Sequence, residues 1–186
     1  QYLYPAELLA DELEPEGIKF TIGSRVDGNN NALSCQGQEI DIPQSISNKK
    51  VYVLAASKNP KGSKVCFGVD GIAKEVNVDY YAGWVGQWGS AYATQDYVMS
   101  NIAFTATHRH NIKDDKNNAY HYLYIYKYMI DIDENAEKLT LPNNEDVMIF
   151  AITISDNVND NVIPVSSIAQ LPKFETIQSL ESNPLG

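Results

Sequence analysis

The side chains best equipped for chemistry are His108 and His110, two residues apart on either side of Arg109 in the segment Phe104-Thr105-Ala106-Thr107-His108-Arg109-His110. On an extended strand alternate side chains share a face, so the two imidazoles are expected on one side and the guanidinium on the other. Two histidines at this spacing can ligate a transition metal. A closed or catalytic zinc site takes a third or fourth ligand, however, and no residue at a recognisable spacing completes one. A polar pair that lines a groove, or that bonds within the structure, is the competing reading. No metal ligand is assigned.

Aromatic residues supply the second set. In Tyr120-His121-Tyr122-Leu123-Tyr124-Ile125-Tyr126-Lys127-Tyr128-Met129, alternation puts all five tyrosines on one face and Leu123, Ile125 and Met129 on the other. Aromatic rings stack on the apolar faces of sugars while phenols bond hydroxyls, so a tyrosine face suits carbohydrate. The structural alternative puts Leu123, Ile125 and Met129 in a sandwich core and the tyrosines in a second, half-buried layer. In Tyr80-Tyr81-Ala82-Gly83-Trp84-Val85-Gly86-Gln87-Trp88-Gly89-Ser90, glycines open the backbone around both tryptophans and an amide. Either the indoles meet a ligand or at least one plugs a core. The expected carbohydrate contacts are Trp84, Gln87, Trp88, His108, Arg109, His110, Tyr122 and Tyr124.

Acidic turns at Asp27 to Asn31, Asp114-Asp115 and Asn143 to Asp146 carry oxygens that suit calcium, yet Asp27 to Asn31 lacks the spacing and terminal Glu of an EF-hand. Solvated turns are the default, and no cofactor is expected beyond the calcium alternative. Cys35 and Cys66 lie outside any CxxC pattern, which favours two buried thiols over a disulfide, zinc or redox pair. No GxSxG, HExxH, P-loop or dinucleotide fingerprint occurs, so no catalytic residue is assigned. Glycoside cleavage needs two opposed carboxyl groups, which sequence alone cannot pair.

The elements that must position these residues read as strands. The chain has 186 residues, 44% apolar and 20% charged, with 12 Tyr, 11 Gly and 8 Pro, which suits one all-β domain. A net charge of −10 without basic runs argues against nucleic acid, and no 18-residue apolar stretch predicts a membrane span. Leu8, Leu9 and Leu13 behind Pro5 predict a short helical lead-in over residues 1–16, closed by Pro15 and Gly17. Strands are expected over 18–23, 33–42, 51–57, 64–69, 73–78, 104–110, 120–132, 138–141 and 147–155, with a hairpin at Asp70-Gly71. A turn separates the first two, and a polar loop spans 111–118. This spacing predicts a jelly-roll-like β-sandwich over 17–156, followed by a tail or linker over 157–186 with at most a short helix near Val165 to Gln170. The start at Gln1, without a signal-like succession, reads as a mature chain or a piece of a longer protein.

Several phrases in order carry a family resemblance: Gly17-Ile18-Lys19-Phe20 with Ile22-Gly23; Asn31-Ala32 leading to Gln36-Gly37-Gln38-Glu39-Ile40 and Pro43; Val51-Tyr52-Val53-Leu54-Ala55-Ala56; Gly83-Trp84-Val85-Gly86-Gln87-Trp88; Thr107-His108-Arg109-His110; and Leu139-Thr140-Leu141-Pro142-Asn143. Over roughly 17–156 this succession resembles the C-terminal β-rich domain of bacterial α-mannosidase-like enzymes of glycoside hydrolase family 38. The resemblance implies an accessory sandwich whose parent enzyme holds its carboxylates and metal in a separate domain. The expected partners are a glycan or that catalytic domain, with homodimerisation if the domain is excised. The expected compartment is periplasmic or extracellular. A purely bracing domain and an independent metal-dependent enzyme built on His108 and His110 are the alternatives.

Overall fold

The computed structural model describes residues 2–26, 29–45, 50–83 and 101–155. Thirteen strands occur there: β1 Tyr2–Leu3, β2 Glu12–Leu13, β3 Phe20–Thr21, β4 Leu33–Ser34, β5 Glu39–Asp41, β6 Lys50–Ser57, β7 Ser63–Val69, β8 Ile72–Val78, β9 Ala82–Gly83, β10 Ile102–Asn111, β11 Lys116–Ile130, β12 Lys138–Thr140 and β13 Val147–Ser155. The larger sheet runs β1-β10-β11-β6-β13-β4, with β9 also paired to β11; the smaller runs β5-β12-β7-β8; β2 and β3 form a ribbon. The ladders between these strands are antiparallel and most neighbours are distant in sequence, as expected of a jelly-roll-like sandwich. No helix among the described residues is long and apolar enough to cross a membrane.

Local chemistry explains the best-formed elements. Strand β6 is an apolar run buried over Val51 to Ser57, as befits a central strand covered on both faces. The β7–β8 hairpin turns on two residues, with Val69 opposite Ile72 and both Asp70 (φ 46°) and Gly71 (φ 80°) in the left-handed region. A type I′ turn demands that of both central residues, and Asp-Gly supplies it. Asp70 Oδ1 also accepts from the backbone N–H of Lys138, tying the turn to β12.

The main core lies between the two sheets. It joins Val51, Val53 and Ala55 of β6 and Tyr124, Tyr126 and Tyr128 of β11 to Val65, Phe67, Val76, Val78 and Leu139 of the smaller sheet. The opposite face of the larger sheet carries Tyr52, Leu54, Ile125 and Met129, and residues of the N-terminal arm, Leu9, Ile18, Phe20 and Ile22, cover it.

This arrangement corrects three expectations. The tyrosine face is the sandwich core, and the Ile125 and Met129 face is the second layer, the reverse of the structural alternative drawn from the sequence. Residues 1–16 form no α-helix where described: Pro5 and Pro15 bracket the leucines, β1 joins the larger sheet, β2 pairs β3, and the helical geometry is a 3-10 turn at Pro15–Gly17. Residues 33–42 are not one strand. Gly37 (φ 75°) turns the chain, so β4 joins the larger sheet and β5 the smaller. The tail over 157–186 and its short helix lie outside the described residues.

Candidate functional site

Strand β10 brings His108, Arg109 and His110 opposite Ala119, Asn118 and Asn117 of β11. The ladder is irregular just before them: Ala106 pairs Leu123 but His108 pairs Ala119, so three residues, 120–122, face Thr107 alone. Such a bulge re-aims the side chains that follow it.

His108 and His110 each have a carboxylate. His108 Nε2 lies 2.9 Å from Glu7 Oε1 of the arm, and His110 Nε2 lies 3.2 Å from Asp115 Oδ1 while its Nδ1 lies 3.1 Å from Asn117 Oδ1. Glu7 is held below the usual carboxylate range by its own backbone N–H, with His108 adding to the effect. Arg109 has no such partner among the described residues. Its Cζ stands 3.5 Å from the centroid of the Tyr2 ring, and its Nε makes a long 3.4 Å contact with Asn118 Oδ1. Its charge also disfavours protonation of His121, whose pKa falls through burial first and Arg109 second. Among the described residues no three His, Cys, Asp or Glu side chains converge as a metal site.

The tyrosines form a ladder with ring centroids 6.5, 6.0 and 6.4 Å apart from Tyr122 to Tyr128. Tyr124 is buried facing the smaller sheet, and Tyr122 is half-buried against the same core. Buried phenols need partners. Tyr126 donates to the Tyr80 carbonyl at 3.0 Å, and Tyr128 donates to Asp79 Oδ2 at 3.0 Å while accepting from the Asp79 N–H at 2.8 Å. Burial raises the Asp79 pKa, with the Tyr128 bond opposing, and raises that of Tyr128 well above the usual phenol value.

Trp84, Gln87 and Trp88 lie outside the described residues, as does Asp27 of the first acidic turn. In the other two turns Asp115 pairs His110, and Gln36 Nε2 donates to Glu145 Oε1 at 3.0 Å. Cys35 is buried, its thiol pushed up to about 11 by that burial; Cys66 is exposed, which corrects the expectation of two buried thiols. Both are free.

Three features had no signal in the sequence. Glu7 and Tyr2 reach the histidine strand from a hundred residues away, and Asp79 locks Tyr128 across the core. Lys127, buried on the outer face, sets its Nζ 2.6 Å from Glu16 Oε2 in the 3-10 turn. Contacts of such sequence separation leave no local pattern.

A family model described as an AziU2-like beta-sandwich domain matches residues 1–158. That description draws no link to α-mannosidases. No curated protein matches the chain.

Proposed function

The chain belongs to the AziU2-like β-sandwich domain family, and we propose that this sandwich is a non-catalytic accessory domain that works by contact, with carbohydrate as its ligand. Its contact residues are Trp84, Gln87 and Trp88 together with the strand from His108 to His110. What carries the reading is the placement of the described residues on either side of the tryptophans in the sequence: Gly83 pairs Tyr122 and Ile102 pairs Tyr126, on one stretch of β11 next to the strand from His108 to His110. A rigid sheet is a scaffold on which binding side chains are held in place. The order of the sequence phrases supports a parent enzyme of the α-mannosidase-like kind, bacterial and periplasmic or secreted.

A second reading, a domain that braces a catalytic neighbour, is favoured by exposed apolar side chains at the β1 edge. Tyr2, Leu3 and Leu8 of the arm and Ile112 are all exposed. One titration separates the two. Adding a mannose-containing oligosaccharide to the full chain while following tryptophan emission gives a saturable change if glycan is bound. A flat response into the millimolar range, both to that oligosaccharide and to an acidic one, removes the glycan reading and leaves bracing.

A further inference from the structure

The chain contains two arginines, and the structure treats them in opposite ways. Arg25 is neutralised: its Nε donates to Asp11 Oδ1 at 2.8 Å and its Nη1 to the Leu9 carbonyl at 3.1 Å. Arg109 has no carboxylate among the described residues. The carboxylates that reach this strand meet the flanking histidines, Glu7 at His108 and Asp115 at His110.

Arg109 is nevertheless held in place. Tyr2 covers one face of the guanidinium at 3.5 Å, and Asn118 Oδ1 meets Nε. The ring contact and the contact at Nε do not involve the two terminal amino groups, which meet no acceptor among the described residues. That pair matches the two oxygens of a carboxylate or a phosphate, and a side chain already immobilised loses little freedom when it binds one.

We propose that Arg109 is an oxyanion receptor, taking a carboxylate or phosphate group of the ligand in a two-point bond through its terminal amino groups. This deepens the contact reading, on which it rests for the location of the ligand, by assigning the ligand a negative charge. The net charge of −10 does not prevent it. At physiological salt the exposed carboxylates farther than about 8 Å are largely screened, so the local pair decides.

The two arginines make the test internally controlled. In the full chain labelled with ¹⁵N, the Nε–Hε signals of Arg109 and Arg25 are followed during separate titrations with a galacturonic acid oligomer, inorganic phosphate and a neutral mannose oligomer. The expected result is a saturable shift of the Arg109 signal with the galacturonate oligomer or with phosphate, no matching shift at Arg25, and at least ~10-fold weaker binding to the Arg109→Lys variant, which keeps the charge and loses the fork. Which probe acts distinguishes a sugar carboxylate from a phosphoryl group. Equal responses of both arginines, unchanged affinity in Arg109→Lys, or no response to either anion overturns the proposal. Binding of the neutral oligomer with Arg109 silent overturns it while the glycan reading stands. Phosphate binding without any sugar binding keeps the receptor and ends the glycan reading.

Discussion

The two faces of β11 are covered by different means. Inward, Tyr124, Tyr126 and Tyr128 meet a sheet whose strands support one another, β7 and β8 being paired along their full length from Ser63–Val78 to Val69–Ile72. Outward, Ile125, Lys127 and Met129 meet an arm with a two-residue ribbon and a single 3-10 turn. That arm is fastened by a few long-range bonds: Tyr4 Oη to the Tyr124 carbonyl at 2.7 Å, Thr153 Oγ1 to the Lys19 carbonyl at 2.7 Å, the Glu16–Lys127 pair and the Glu7–His108 pair. Burial alone is the same on both sides. What differs is whether the cover has a hydrogen-bonded ladder of its own, and that difference assigns the arm to the part of the molecule that opens first.

Two phenylalanines with no exposed surface, Phe67 in β7 and Phe20 in β3, turn this into a measurement. Truncating Phe67 to Ala removes a core ring from the self-supporting cover and is expected to cost about 3–5 kcal/mol of global stability in urea denaturation. Phe20→Ala is expected to cost less. Once the arm undocks, further damage to its packing is no longer felt, so the loss is capped at the docking free energy of the arm. Native-state hydrogen exchange should show residues 18–22 opening well before β6 in the Phe20 variant. Equal losses at both sites, with the arm exchanging only through global unfolding, would mean that the two covers form one cooperative unit.

The polar locks sharpen the same contrast at lower energy. Tyr128→Phe deprives Asp79 of a donor to its carboxylate and an acceptor for its N–H, in a largely buried setting, and is expected to cost about 1–3 kcal/mol. Asp79→Asn works in the opposite direction. Burial raises the folded pKa of Asp79, so folding binds its proton more tightly than the unfolded chain does. That contribution favours the folded state in acid, and it is lost as pH climbs from the unfolded carboxyl value of about 4 through the raised folded one. An amide never ionises and still accepts the Tyr128 hydroxyl. The variant is therefore expected to gain stability relative to wild type as pH rises through that window, and a pH-independent difference between the two proteins would remove ionisation of Asp79 from the account.

The contrast also explains which parts of the fold were legible. The Asp70-Gly71 hairpin, the buried run of β6 and the exact span of β13 follow from local chemistry: left-handed turn residues, unbroken apolar sequence and bracketing polar residues. Alternation in β11 correctly divided Tyr124, Tyr126 and Tyr128 from Ile125 and Met129. It could not say which set faced the second sheet, because a period of two separates faces without identifying what covers them. The arm misled for a related reason. Leu8, Leu9 and Leu13 have helical spacing, but the nine residues between Pro5 and Pro15 are too few for a helix to hold without tertiary support, and here the buried Leu9 serves the sheet while Leu8 stays exposed. At the candidate site His108 to His110 was legible as a strand, whereas Glu7, Tyr2 and Asn118, which fix its side chains, were not. Two of these lie on the arm, whose path only the fold reveals.

The smallest effect is expected where the arm meets that strand. Glu7 is exposed, so its pair with His108 is solvent-screened and worth only a few tenths of a kcal/mol. Its folded pKa is lowered by its own backbone N–H and by His108, which makes the contribution present above the unfolded glutamate value of about 4.3 and lost as pH falls through the folded one. Global unfolding will barely register it. Docking of β1 should, because Leu3 pairs His110 and Tyr2 pairs Asn111 only a few residues from Glu7. In wild type the amide protection at Leu3 is expected to fall on acidification through that range, and in Glu7→Gln it is expected to start lower and stay level. Since Tyr2 stacks on Arg109, the same variant should loosen the guanidinium and broaden its Nε–Hε signal while leaving that of Arg25 sharp. Protection at Leu3 that ignores both the substitution and the pH would show that β1 is held by its ladder alone and that Glu7 is a bystander.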